Sequence, residues 1–285
     1  MTPQLWSLIL TSALLHAIWN FGAKKVSGNI QVFWLATGVA SLLSAPWAVT
    51  FALTHSVSPE SWVRMLISGL FTSAYTLVLA RAYRTGDLSF VYPIARGCGV
   101  AGAAVSGKYF LGESISRAGG FGILAVCLGT VVMSFHRDHR QESARMDLLL
   151  ALFTGLILAV SAVNDKQAMG GTSPGLYVCA EYFLTAVLLA PFLLPGYLRM
   201  RRGNATEATR LLGYGVLVGA GSVVSYGLVL MAYQLGPMSY IIPAREFAVV
   251  LASGLGVIWL REPMTLKKGL GIASITIGLV LIKLA

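Results

Sequence analysis

Ala82-Tyr83-Arg84-Thr85-Gly86-Asp87-Leu88-Ser89-Phe90-Val91-Tyr92-Pro93 and Ala232-Tyr233-Gln234-Leu235-Gly236-Pro237-Met238-Ser239-Tyr240-Ile241-Ile242-Pro243 are two versions of one segment, identical at five of twelve positions. With one residue skipped, the match continues. Arg96 pairs with Arg245, Gly107 with Gly256, Leu111 with Leu260 and Glu113 with Glu262. Gly120, Gly122 and Gly129 pair with Gly269, Gly271 and Gly278. Apolar segments resemble one another by composition, but shared Gly, Pro, Arg and Glu at fixed places need a repeat.

Around this segment the chain is a series of apolar runs. Of its 285 residues, 56% are hydrophobic and 11% charged, with a mean hydropathy of +0.75. Soluble domains carry about 25% charged residues, so a bilayer must supply part of the solvent. Each membrane helix needs about 20 apolar residues. The runs predict spans at 4–23, 30–53, 63–83, 88–107, 119–135, 147–164, 175–194, 211–232, 238–259 and 268–284. They are too long and too evenly apolar for barrel strands. The expected fold is an all-α integral membrane protein of ten transmembrane helices in two inverted five-helix repeats. The first repeat is 1–135, the connection 136–146 and the second repeat 147–285. Five is odd, so the second copy enters from the opposite side, and such repeats place a binding site near the midplane where the halves meet.

The net charge of +10 does not signal nucleic acid, because the basic residues sit in short gaps between apolar runs rather than in one stripe. They report orientation. The odd-numbered connections hold 13 Lys and Arg and the opposite side 5, which places both termini outside the cytoplasm. The Asn204-Ala205-Thr206 glycosylation sequon then faces the cytoplasm, where it is silent. The first apolar run lacks a preceding basic region and a cleavage site, so it reads as a span rather than a signal peptide. Cys98, Cys127 and Cys179 lie inside apolar runs without paired spacing, and read as small core residues.

The candidate site follows from polar residues inside the runs. Arg96 lies about 12 Å into its span and Arg245 about 10 Å, at 1.5 Å per residue, close to the midplane of a core about 30 Å thick. An arginine there costs at least about 2.5–3.5 kcal/mol unless it faces a polar cavity or a partner. Glu246 and Glu181 are the candidate carboxylate partners. Pro93 and Pro243 stand just before these arginines and predict kinks, with Arg81 nearer its helix end. His16 and Asn20 share a helix face, with Trp19 alongside. Tyr75, Tyr83 and Tyr233 are further candidates for contact with a substrate, although tyrosines at span ends also serve as interface anchors. Asp165 is either a proton or ion group or a solvated loop residue, and its place beyond the span end favours the loop. Glu113 and Glu262, in short basic connections, read as structural.

The Leu15-His16-Ala17-Ile18-Trp19-Asn20 first helix, the Pro243-Ala244-Arg245-Glu246 of the second half and the closing Trp259-Leu260-Arg261-Glu262-Pro263 resemble the EamA family of the drug/metabolite transporter superfamily. The resemblance covers the whole chain, including Phe110-Leu111-Gly112-Glu113-Ser114 in the first half. It implies secondary transport of a small organic metabolite by alternating access. The substrate-binding residues carried by this reading are His16, Trp19, Asn20, Tyr75, Arg81, Tyr83, Arg96, Tyr233, Arg245 and Glu246. Intramembrane arginines suit an anionic or zwitterionic substrate: an amino acid, organic acid or organophosphorus compound. His16 faces Ser161 and Arg81 faces Met231 across the repeat, so the pathway is expected to be lined more by the first half. Expected partners are the substrate, a coupling proton or ion and the lipid bilayer, in a bacterial inner membrane. No cofactor, metal or nucleic acid is expected. A membrane enzyme would need a nucleophile with a base or a metal set, and no such constellation is present in the sequence. The alternatives to a transporter are a channel and a non-transporting membrane scaffold.

Overall fold

The computed structural model describes residues 1–24, 26, 29–85, 88–133, 144–261 and 263–285, excluding the side chains of 21–24, 79–85, 88–93, 144–147 and 259–260. The described residues are helical, without strands: α1 Pro3–Lys24, α2 Ile30–Thr54, α3 Pro59–Thr85, α4 Leu88–Phe110, α5 Arg117–Val132, α6 Ala144–Ala168, α7 Pro174–Gly203, α8 Ala205–Leu235, α9 Met238–Arg245, α10 Phe247–Leu260 and α11 Leu266–Leu284. The ten predicted spans are all present, the ninth divided into α9 and α10. Five stretches among the described residues are long and apolar enough to cross a membrane by length and composition alone. Large apolar side chains such as Leu42, Leu53, Trp47, Phe121 and Phe192 stand on the outside, which is a surface for lipid rather than water.

Three boundaries differ from the hydropathy reading. α7 and α8 run through most of the connection expected at 196–210, because Arg199, Arg201 and Arg202 continue a helix as well as apolar residues do. Asn204 ends α7 and caps α8, its Oδ1 accepting the Glu207 N–H at 3.0 Å. α6 passes through Asn164 and Asp165 to Ala168, so Asp165 is helical and buried rather than a loop residue. The breaker there is Gly170-Gly171, not the carboxylate.

The two halves interlock. α1 packs against α8 and α3 against α6; α2 meets α8 and α3 meets α7; α4 lies on α6, and α1 on α9 and α10. Each of these pairs becomes its partner when the halves are exchanged. The pairs α2–α7 and α5–α11 map onto themselves. The α5–α11 seam depends on glycine. A Cβ on Gly122 would stand 2.7 Å from the Gly278 oxygen, and one on Gly129 would stand 2.7 Å from the Gly271 oxygen. Exchange of the halves turns one contact into the other. Small residues allow this close approach, which is how membrane helices pack when both solvent and protein are apolar.

The break between α9 and α10 positions the site. Proline at 243 has no N–H, so one helix bond is missing. At Glu246 the chain makes a single turn: its N–H donates to the Pro243 carbonyl at 3.1 Å, and its own carbonyl accepts the Val249 N–H at 2.8 Å. The repeat also drops one residue here, with three steps from Pro93 to Arg96 but two from Pro243 to Arg245. One residue is about 100° of helix rotation, and the turn at Glu246 takes up that difference. α4 runs unbroken from Leu88 to Phe110, and the side chain of Pro93 lies outside the described residues. The start of α9 is held by Glu113, whose carboxylate accepts the N–H groups of Met238 and Ser239 at 2.7 and 2.8 Å. A carboxylate on these donors is a favourable helix cap. Its repeat counterpart Glu262 lies outside the described residues.

Candidate functional site

A central cavity of about 270 Å³ lies between the halves, with lining from α1, α2, α3, α4, α6, α7, α8, α9 and Glu246 at the α9–α10 break. That volume is at the small end for a metabolite site. Its polar lining falls into a basic region and an acidic region.

The basic region forms where α1 meets the α9–α10 break. Arg245 ends α9, and its Nη2 lies 3.2 Å from His16 Nδ1. The His16 ring stands edge-on to Trp19, with centroids 4.8 Å apart and planes at 85°. Trp19 in turn rests on Gly221 of α8, where a Cβ would come within 2.6 Å of the Trp19 Cβ. Glu246 is 1% exposed and turns across the interface to Arg96 of α4, with Oε1 2.5 Å from Nη2. The two repeat-related arginines therefore have different partners. Arg96 is matched by a carboxylate, whereas no carboxylate among the described residues lies within ion-pair distance of Arg245.

The acidic region forms where α6, α7 and α8 meet α3. Asp165 accepts hydrogen bonds from Ser68 (3.0 Å) and Tyr177 (2.7 Å) at Oδ1 and from Tyr226 (2.7 Å) at Oδ2. Asn164 braces the same corner by donating to the Arg64 carbonyl and the Tyr177 hydroxyl. Glu181, one helical turn beyond Tyr177, accepts from Thr72 at 2.7 Å through Oε1. Ser68 and Thr72 are four apart on α3, so one helix face holds both carboxylates. Lys166 points away from this group and donates to the carbonyls of Tyr233 and Gly236 at the end of α8.

Arg96 aside, four buried polar atoms on cavity-lining residues have no hydrogen-bond partner among the described residues: Trp19 Nε1, Arg245 Nε, Glu181 Oε2 and Glu246 Oε2. Two are donors and two are acceptors. Buried polar atoms are normally paired, so four around one cavity indicate groups that a bound molecule would satisfy.

Of the residues singled out by sequence, His16, Trp19, Tyr75, Arg96, Tyr233, Arg245 and Glu246 line this cavity. Asn20 does not. Its side chain donates to the His16 carbonyl at 2.9 Å, so sharing a helix face with His16 does not bring it to the cavity. The side chains of Arg81 and Tyr83 lie outside the described residues. Glu181 is bonded to Thr72 rather than to an arginine. Among the described residues the lining is shared by the two halves rather than dominated by the first. His16, Trp19, Thr37, Thr72, Tyr75, Thr76 and Arg96 come from the first half, and Ser161, Asp165, Glu181, Tyr182, Ser222, Tyr226, Tyr233, Arg245 and Glu246 from the second. The acidic region escaped the sequence reading because Asp165 stood at an apparent span end. The Ser68-Thr72-Thr76 stripe on α3 was the available signal.

The model of the EamA-like transporter family matches residues 145–284, and that of the Small Multidrug Resistance protein matches residues 32–126. The chain is 32% identical over 85 residues to a guanidinium exporter of Citrobacter freundii, covering 30% of this chain and 79% of that one. It is 23% identical over 135 residues to a Sinorhizobium protein described as an uncharacterized transporter in the cobO 3' region, covering 46% and 95%. The multidrug resistance protein EbrB of Bacillus subtilis is 38% identical over 72 residues, 25% of this chain and 61% of that one. A protein of known crystal structure, 15% identical, superposes with a TM-score of 0.74 over 100% of this chain and 98% of its own. At that identity the superposition speaks for the fold alone.

Proposed function

The chain belongs to the EamA-like transporter family of the drug/metabolite transporter superfamily, and from that premise we propose that this membrane transporter is a secondary active carrier of a small zwitterionic metabolite of the amino-acid class. The cavity between residues 1–135 and 147–285 is the substrate site, opened alternately to the two sides of a bacterial inner membrane. The carboxylate of the substrate meets Arg245 and the Trp19 N–H. Its ammonium meets the open oxygens of Glu181 and Glu246.

One observation carries this reading: the four orphaned atoms are donors on Trp19 and Arg245 and acceptors on Glu181 and Glu246. A zwitterion satisfies both kinds at once. A simple anion would leave the acceptors bare, and a simple cation would leave Arg245 uncompensated, each at a cost of about 1–3 kcal/mol per buried group. Charge-assisted hydrogen bonds of the kind offered here are among the stronger ones. The inverted arrangement supports alternating access, because two similar half-structures can exchange roles around a fixed midplane site.

The test is a thermal-shift screen of the purified chain against amino acids, organic acids, phosphonates and guanidinium. A compound that binds the folded state stabilises it by about 2.7 kcal/mol at a hundredfold excess over Kd. Amino acids are expected to raise the unfolding temperature. Stabilisation by guanidinium or by organic acids alone contradicts the zwitterion reading. Uptake into proteoliposomes that saturates with concentration distinguishes a carrier from an open channel, and flux of any kind excludes a scaffold.

A further inference from the structure

Asp165 and Glu181 are both carboxylic acids buried in the same corner, yet their hydrogen bonding differs. Asp165 is 4% exposed and accepts three hydrogen bonds, with donors on both oxygens. This is the pattern of a settled carboxylate, which only accepts. Glu181 is 3% exposed, accepts one bond at Oε1 and has a bare, buried Oε2. An ionised carboxylate oxygen without a donor is costly to bury. A protonated carboxyl places its O–H at that oxygen, where it can donate to whatever occupies the cavity. Two neighbouring acids out of water do not both ionise readily.

The surrounding charges fit this division. No Lys, Arg or His among the described residues lies within ion-pair distance of either acid. From α3, Ser68 and Thr72 face the pair as hydroxyls, with Tyr75 farther along the cavity and Arg64 engaged by Glu60 and Gln167. α7 adds Tyr177 and Tyr182, and Cys179, which bonds to Ser41 of α2. α2 carries no charged side chain. α8 adds Tyr226 and Tyr233. On α6, Lys166 is committed to backbone carbonyls. The nearest cationic region is that of His16, Arg96 and Arg245, where Glu246 already answers Arg96.

We propose that Glu181 carries the exchangeable proton of this transporter, with Asp165 as the fixed anion beside it. The inference deepens the proposed function by assigning its coupling group. When the O–H at Oε2 ionises, the proton passes to cavity water, Oε2 becomes the acceptor that the substrate ammonium meets, and a second negative charge appears beside Asp165. That state calls for positive charge in the cavity, so proton movement is tied to occupancy.

Infrared spectroscopy of the full chain in lipid vesicles tests this without any substrate, so its outcome is independent of the substrate screen. At neutral pH a protonated-carboxyl C=O band is expected, shifted in D₂O, absent in Glu181→Gln and retained in Asp165→Asn. Thr72→Val, which removes the donor at Oε1, should shift the band without abolishing it, and covers the case in which Glu181→Gln does not fold. No such band in the wild type, a band that persists in Glu181→Gln, or one lost only in Asp165→Asn overturns the proposal. So does a band indifferent to D₂O or unmoved by Thr72→Val.

Discussion

Arg96 and Arg245 occupy equivalent places in the two halves, yet one is matched and the other is not. Arg96 reaches Glu246, the residue immediately after its own counterpart. At the position equivalent to Glu246 the first half has Gly97, so it has no carboxylate there to return to Arg245. Arg245 meets His16 instead. Duplication thus supplied two similar frames, and a few substitutions made their midplane charges unlike. On the function proposed above, the difference separates a cation that bridges the halves from one that meets the cargo.

The largest expected effect comes from removing the match. Glu246→Gln leaves Arg96 buried without its counter-ion. It should cost about 3–5 kcal/mol, read as a fall in the unfolding temperature in detergent. Pairing it with Arg96→Met should restore much of the loss. Arg245→Gln should behave in the opposite way. Stability should hold, while affinity for an amino-acid ligand should fall at least tenfold, consistent with the loss of a charge-assisted bond worth about 1.5–3 kcal/mol. If Arg245→Gln unfolds the protein as readily as Glu246→Gln, the two arginines are not distinct in role.

A smaller effect is expected at Trp19. Trp19→Phe keeps an aromatic ring beside His16 but removes the orphaned N–H. Binding should weaken by about 1 kcal/mol, or severalfold, in isothermal titration. Asn20→Ala sharpens the edge of the site. The amide serves only the His16 carbonyl among the contacts described, so ligand affinity should be unchanged and stability should fall by no more than about 1 kcal/mol.

Much of the fold could be read because its signals are repetitive. Apolar run length located the spans, and the matched Gly122 and Gly129 foreshadowed the seam with α11. The α9–α10 break was half visible, as Pro243 and as the skipped residue. Run length could not show where helices continue through polar sequence, so α6, α7 and α8 were each read too short. The same blindness hid the acidic region, since Asp165 lay four residues inside a helix that seemed to have ended. Arg96, Arg245 and Glu246 stood out because charge in an apolar run is conspicuous. Ser68, Thr72 and Tyr226 did not, because hydroxyls are common in membrane helices and only the fold shows which carboxylate they face.

The most direct measurement compares an amino acid that stabilises the wild type with its carboxamide, which keeps the ammonium but lacks the carboxylate. The account predicts that the wild type prefers the acid by tenfold or more, that Arg245→Gln loses the preference, and that Arg96→Met with Glu246→Gln retains it. A preference that survives Arg245→Gln, or that disappears only with the Arg96 and Glu246 pair, would contradict it.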